Sequence, residues 1–432
     1  MSLIAMQKTA CCNIRVLWKN NTIPAMLTLC RATNSCTRTA FTNMRRQALT
    51  NNAFRSMSSL TNSGTTMLAW QIESYGGNDK LKLVEKPIPS ITKPNQVLIK
   101  VYASSVNPID IKLRGGYGAK LLNKARRVSP GGEFPMTLGR DCSGVIVDMG
   151  KDVKKFEIGD EVWATINQVN QGAHAQYVVT TTGEMSHKPK ILSHIEAASI
   201  PYVTITTWSA TYAISRFRPE NAVGKMVLVH GGSGGIGSFA VQLLVAWGAR
   251  VVSTCSTDSV DFVYGLGAHH VVDYKTTDPE KELRKLGQFD LIVDTVGGSV
   301  EEYSLRLLNG AKGANYVTLV TPFLELIEEK GPVLGSLSAS FSLIKKALST
   351  AKSGSKYRWA FATPSTKALE DVATLVQDGK IQPVVNQVFP FTEAPDAYQK
   401  VEKGPARGKV VIAVVNDNQT VSPKRVNMFE SA

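Results

Sequence analysis

Six residues, Gly232-Ser233-Gly234-Gly235-Ile236-Gly237, carry the clearest chemical signal in the chain. They match G-x-G-x-x-G. Alone, that pattern describes any glycine-rich turn, and a turn needs no ligand. The neighbours decide the matter. Met226-Val227-Leu228-Val229-His230 precedes it as a short apolar run, and Phe239 to Trp247 follows as a helical stretch closed by Gly248. A strand leading into a glycine turn that opens a helix is the setting of a dinucleotide site. The glycines permit the tight turn and let backbone amides reach a pyrophosphate at the positive end of the helix.

The end of the next strand speaks to which dinucleotide. A site for NAD usually places an acid there, about 20 residues on, to bind the ribose hydroxyls. Here stand Thr254-Cys255-Ser256-Thr257. Small hydroxyl side chains can donate to a 2′-phosphate, whereas a carboxylate repels one. Tyr274 and Lys275, just past the third strand, are placed to complete such a pocket. The expectation is NADPH. Two observations compete with it: Asp258 lies close by, and Ser256 could simply cap the next helix.

These residues need a scaffold. Apolar runs at 226–230, 250–254, 270–273, 289–294 and 315–320 alternate with helical stretches. Alternation of this kind means right-handed βαβ units and a parallel sheet. The fold class is therefore α/β, with a doubly wound Rossmann sheet over residues 200–365. Residues 66–199 read differently. Short β segments such as Val97–Val101, Gly144–Val147 and Ala175–Val179 are closed by Gly and Asp, which suggests a small, mostly antiparallel barrel. The stretch 366–415, including Gln387–Phe391, is expected to return to that first domain and make it discontinuous. Residues 416–432 carry no pattern and are expected to be disordered.

The +14 net charge is uneven. Residues 1–65 hold Lys8, Arg15, Lys19, Arg31, Arg38, Arg45, Arg46 and Arg55, and the first acid of the chain is Glu73. A basic surface for nucleic acid is disfavoured by that distribution. Arginine-rich, hydroxyl-rich and acid-free composition fits a mitochondrial transit peptide, removed near 56–66, with the matrix as destination. A secretory signal would need a longer apolar region; a plain basic tail is the bland alternative. No stretch approaches the roughly 18 apolar residues of a membrane span. Outside residues 1–65 only Cys142 and Cys255 remain, too far apart for a cysteine zinc site. His174, His187, His194, His230, His269 and His270 show no metal spacing and are expected at the surface or in loops.

Further motifs carry a family resemblance. Ala103-Ser104-Ser105-Val106-Asn107-Pro108-Ile109-Asp110, Arg114-Gly115-Gly116-Tyr117 and Leu138-Gly139-Arg140-Asp141-Cys142-Ser143-Gly144 resemble the quinone oxidoreductase branch of the medium-chain dehydrogenases/reductases. Leu266-Gly267-Ala268 and Asp294-Thr295-Val296-Gly297-Gly298 follow in the right order, and the likeness covers about residues 67–415. Thr318 to Phe323, Tyr357 to Phe361 and Ala406 to Lys409 are similar, more narrowly, to a mitochondrial reticulon-interacting branch. The resemblance implies a GroES-like first domain, a protein partner of the reticulon type and, in some relatives, a homodimer. Zinc-dependent members hold a Cys and a His where this chain has Asn107 and Arg140, so a metal-free reductase is implied; neither an amide nor a guanidinium is a usual zinc ligand.

Carried over motif by motif, the resemblance implies cofactor contacts from Ser233, Gly234, Gly235, Ile236, Ser256, Tyr274, Thr295, Leu319 and Phe361, and from Pro405, Ala406 and Arg407. Asn107 and Tyr117 resemble residues lining the nicotinamide cleft. Asn107 could instead shape the turn before Pro108, Tyr117 could be packing, and Arg407 could be a surface charge. Reduction of a quinone or an α,β-unsaturated carbonyl leaves negative charge on oxygen, which a nearby donor stabilises. Three functions stay open: a quinone or enone reductase, an enoyl-thioester reductase of the same fold, and a cofactor-keeping scaffold that acts through a protein partner.

Overall fold

In the computed structural model, residues 65–310, 313–404 and 407–415 are described. The basic segment, the 416–432 tail, Pro405 and Ala406 lie outside the described residues.

Two large sheets organise the chain. The first contains β9 (Met226–His230), β10 (Arg250–Cys255), β11 (His270–Asp273), β12 (Leu291–Asp294), β13 (Asn315–Thr318) and β14 (Lys356–Trp359), in the order β11-β10-β9-β12-β13-β14. All its pairings are parallel. Such sheets are covered on both faces, so their strands read as unbroken apolar runs. Alternate residues point to opposite sides: Val227 and Val229 join a core with Phe239, Leu243 and Leu244, while Leu228 joins another with Leu283, Phe289 and Leu307. The helix Gly235–Ala246 is apolar nearly all round because it is sunk in the first of these cores. The sixth strand, β14, is not among the apolar runs that the sequence shows; its Tyr-Arg-Trp is too short to show a period.

The second sheet is built on the long β3 (Gln96–Val106). Its order is β15-β16-β3-β5-β6-β8, with β7 (Tyr177–Thr181) also on β3. Here β5 is Asp141–Met149, β6 Glu161–Thr165, β8 Met185–His187, β15 Val385–Pro390 and β16 Lys409–Ala413. β16 runs antiparallel to β3, Val410 opposite Val106 and Ala413 opposite Ala103. The last strand among the described residues therefore lies beside Asn107, with Lys409 302 residues further along the chain. A small sheet of β1 (Thr66–Ile72), β2 (Lys82–Pro87) and β4 (Met136–Thr137) completes this half. The helix Thr366–Gln377 between the two halves puts Leu369, Val372 and Val376 into the core of the parallel sheet.

Helices Phe323–Lys330 and Pro332–Ala351 pack on each other. Gly335 is required there: a Cβ would sit 2.4 Å from the Leu326 carbonyl oxygen. The outer side of the longer helix is bare. Leu334, Leu337, Phe341, Ile344 and Leu348 are exposed, Phe341 by 72%.

Three of the histidines differ from expectation, while His187 and His269 are exposed. His174, His194 and His230 are buried. Each is held by polar partners rather than left at the surface. His230 lies between the Thr254 hydroxyl (3.1 Å) and the Ser304 hydroxyl (2.8 Å). His174 lies between the Ser105 carbonyl and the Tyr398 hydroxyl. His194 meets Ser143 and Glu161. Burial lowers the pKa of His230 to about 4, so it is neutral inside the sheet. An imidazole with two well-placed partners is a good core residue, and its spacing in sequence cannot show that.

Candidate active site

The parallel strands end in a row, and the expected cofactor residues sit on those ends. Beyond β9, Gly231 takes a positive φ of 74°. Gly232 must pass close to β10, because a Cβ would lie 2.1 Å from the Ser253 hydroxyl. Gly237 must sit against the turn, because a Cβ would lie 2.0 Å from the Gly231 carbonyl oxygen. Gly234 caps the helix and offers no side chain; a Cβ there would meet only the Gly231 carbonyl oxygen, at an ordinary contact distance of 3.5 Å. The Ser238 amide is the one that turns back, to the Gly234 carbonyl at 2.8 Å. The amides of Gly235, Ile236 and Gly237 thus face out of the helix end, at its positive pole. The group that fits such a cradle is a pyrophosphate.

A second lip comes from the far end of the chain. The Gly408 amide donates to the Ser233 carbonyl at 3.1 Å, and Gly408 bridges Gly234. This carries Arg407 to the end of β10, where its guanidinium donates to the Asp258 backbone carbonyl. Ser256 is half-buried there and its hydroxyl makes no capping bond, so capping does not explain it. The Tyr274 amide donates to the Cys255 carbonyl at 3.2 Å, which sets the Tyr274–Lys275 turn alongside. The Lys275 ammonium lies 5.6 Å from the Tyr274 ring centre. Ser256, Tyr274, Lys275 and Arg407 are thus gathered around the ends of β10 and β11.

On the other side of the cradle, the Thr295 hydroxyl donates to the His230 carbonyl at 2.7 Å. The Leu319 amide donates to the Asp294 carbonyl at 3.0 Å. The buried Asp294 carboxylate accepts from the Val296 and Gly297 amides and the Tyr316 and Thr318 hydroxyls, which locks this rim. Phe361, past β14, is exposed and packs edge-on against Phe323, centroids 5.5 Å apart.

Asn107 and Tyr117 are not brought together: among the described residues no hydrogen bond or ring contact joins them. Tyr117 belongs to a wall shared with the helix Phe323–Lys330. Burial and the Glu325 charge raise its phenol pKa, and the Lys112 ammonium lies 4.8 Å from its ring centre. Asn107 is buried in a polar knot. Its Nδ2 donates to Asp141 Oδ2 at 2.9 Å, and its Oδ1 accepts from the Lys409 ammonium. Asp141 Oδ2 also accepts from the Ser105 hydroxyl (2.5 Å) and Lys409 (3.1 Å), and its Oδ1 from the Tyr202 amide (2.6 Å). The turn before Pro108 is held by the Asn107 amide on the Asp110 carboxylate, 2.9 Å. Asn107 is the N-cap of the helix Pro108–Arg114, and its side chain's hydrogen bonds to Asp141 and Lys409 go to the knot. Sequence reasoning missed Lys409 and Asp141. The available signal was a charged residue opening an otherwise apolar strand, in Lys409-Val-Val-Ile-Ala and Asp141-Cys-Ser-Gly-Val.

Residues 93–190 match the alcohol dehydrogenase GroES-like domain and residues 266–412 match the zinc-binding dehydrogenase family. The human "NAD(P)H oxidoreductase RTN4IP1, mitochondrial" is 46% identical over 387 residues, covering 88% of this chain and 97% of its own. The chain belongs to the medium-chain dehydrogenase/reductase family. Its members similar to this chain include the Caenorhabditis elegans "Reticulon-4-interacting protein 1, mitochondrial", 38% identical over 81% of this chain and 95% of its own. They also include the solved quinone oxidoreductase of Coxiella burnetii, at 29% identity and a TM-score of 0.66, covering 81% of this chain and all of that one. As a member of this family the chain is an oxidoreductase that uses a nicotinamide cofactor. The mitochondrial naming of its relatives supports a mitochondrial location.

The zinc in one family description does not fit the residues here. Asn107 is engaged as described. Arg140 is fully buried and donates to the carbonyls of Asn167 (2.7 Å), Asn170 (3.0 Å) and Thr137 (3.2 Å), beside the Asp110 carboxylate at 3.7 Å. Among the described residues no group of three or more His, Cys, Asp or Glu is arranged to hold a metal.

Proposed function

We propose that the chain is a mitochondrial matrix reductase that uses NADPH to reduce a quinone or a related α,β-unsaturated carbonyl. The observation that carries the cofactor choice is the end of β10. It presents the uncapped Ser256 hydroxyl with Tyr274, Lys275 and the Arg407 guanidinium beside it. Cationic and hydroxyl donors suit the additional phosphate of NADPH. Asp258 offers its backbone carbonyl to Arg407, which sets a positive charge beside it, and the Asp273 carboxylate nearby is engaged by the Lys275 amide and the Thr276 hydroxyl.

When bound, the cofactor supplies the hydride. The chain's own residues position and shield. Amides of Gly235, Ile236 and Gly237 hold the pyrophosphate. Ser233, Thr295, Leu319 and Phe361 line its course, and the family resemblance assigns Pro405, Ala406 and Arg407 to the cofactor as well. Asn107 is the donor assigned to the substrate oxygen, where charge grows as the carbonyl is reduced, and Tyr117 is assigned to positioning from a separate wall of the nicotinamide cleft. Titration of the purified protein with NADPH and with NADH, followed by nucleotide fluorescence, tests this reading. NADPH should bind at least tenfold more tightly, about 1.4 kcal/mol. Equal affinity removes the phosphate pocket, and no affinity for either removes the function.

The bare helix face belongs to a second copy of the chain. Leu334, Leu337, Phe341, Ile344 and Leu348 recur at alternating spacings of three and four, the pattern of a helix–helix seam. The helix leads within five residues to β14, the outermost strand of its sheet. An open strand edge is itself a template for a like strand, so a twofold pairing satisfies both features. Phe341→Glu with Leu348→Glu should convert a dimer to a monomer in sedimentation equilibrium; a monomeric parent protein contradicts the assignment. A reticulon-type partner, suggested by the naming of the nematode relative, would then bind elsewhere.

A further inference from the structure

Lys409 joins the two halves of the site. Its backbone opens β16, with the amide on the Val384 carbonyl at 2.8 Å. The preceding Gly408 is bonded to the glycine-rich turn through Ser233. The Lys409 stem runs so close to that turn that a Cβ on Gly235 would be 3.0 Å from its Cδ. Its ammonium ends in the knot, on Asn107 Oδ1 and Asp141 Oδ2. The Lys409 side chain is only 7% exposed and that of Asp141 is fully buried.

An ammonium has only donors, and a carboxylate only acceptors. A carboxamide between them has one acceptable orientation. With Oδ1 toward Lys409 and Nδ2 toward Asp141, both contacts are attractive. Rotating the amide by half a turn sets N–H against ammonium and oxygen against carboxylate, two repulsions in a buried site. The nitrogen carries two N–H groups, and Asp141 takes one. Among the described residues the other has no second acceptor. We infer that Lys409 is a positioning residue: it fixes the Asn107 carboxamide so that one Nδ2 N–H stays available to the substrate oxygen. This rests on the reading that Asn107 faces substrate. A merely structural role, neutralising Asp141, is the rival.

The test is a double-mutant cycle on the full chain, with NADPH and a water-soluble p-benzoquinone. Asn107→Ala should lower kcat by roughly a hundred- to a thousandfold, the scale for losing one such donor. Lys409→Met risks misfolding because it strands a buried carboxylate, so Asp141→Asn/Lys409→Met, which removes both charges, accompanies it. That pair should melt near the parent and keep the NADPH Kd within about twofold, yet lose kcat by a factor similar to Asn107→Ala: the Tyr202 amide holds the oxygen of the new carboxamide, which turns its N–H groups toward Asn107 and draws Oδ1, not Nδ2, to that side. Adding Asn107→Ala to it should cost little more, because residues acting as one unit are not additive. Lys409→Arg, still a donor, should recover most of kcat. Parental kcat in the charge-free pair, or effects that multiply, would overturn the positioning role alone. Unchanged kcat and KM in Asn107→Ala would instead sink the reading of Asn107 itself, and the inference with it.

Discussion

The cradle and the knot do related work with opposite materials. The cradle is backbone: three outward amides and glycines whose missing side chains make room. All of it lies within Gly231–Gly237, seven consecutive residues. The knot is side chain: Ser105, Asn107, Asp141 and Lys409, from the ends of three strands paired only by the fold. A backbone site is set by local conformation and tolerates change in the distant sequence. A side-chain site depends on long-range register, because a slip of one residue turns a strand's side chains to the other face. The difference teaches where each should fail. The cradle should fail by steric intrusion, and the knot by loss of a charge or a donor.

The largest effect should come from intrusion at Gly237. Gly237→Val puts a branched side chain where even a Cβ would be 2.0 Å from the Gly231 carbonyl. That oxygen is backbone and has nowhere to go without opening the turn. Overpacking typically costs about 1–3 kcal/mol, which corresponds to ~10–100-fold in nucleotide affinity if the cost falls on the cradle. NADPH and NADH should lose affinity alike, because the pyrophosphate is common to both. Isothermal titration measures it. Retained affinity for both nucleotides would mean that the turn is not the cradle.

The same contrast explains what the sequence disclosed. The glycine turn was legible because every part of it is local: a strand, a turn and a helix in one unbroken stretch. The parallel sheet was legible because a doubly buried strand is a plain apolar run. β14 was not, since four residues beside a long helix carry no period. Lys409 was not, since its importance lies in meeting Asn107 and Asp141 through β16, β3 and β5, a register no spacing encodes. The buried histidines were hidden likewise: His230 follows four apolar residues, but its hydroxyl partners Thr254 and Ser304 come from elsewhere. Family resemblance supplied Asn107 without supplying the partners that orient it.

Arg407 belongs to neither class, and a smaller effect there would sharpen the comparison. It is a side chain added to a backbone cradle, and it is exposed, held through one bond to the Asp258 carbonyl. Solvent screens an exposed charge, so Arg407→Ala should weaken NADPH by only about tenfold, the low end for losing a charge-assisted bond to phosphate. NADH, which lacks that phosphate, should bind as before. The NADPH difference between parent and variant should also shrink as salt rises, since the term is electrostatic. Titrations with both nucleotides at low and at high ionic strength separate the cases. If both nucleotides weaken together, Arg407 supports the Ser233–Gly408 lip instead. The choice of cofactor then rests on Ser256, Tyr274 and Lys275, and the backbone cradle extends one strand further than its seven residues.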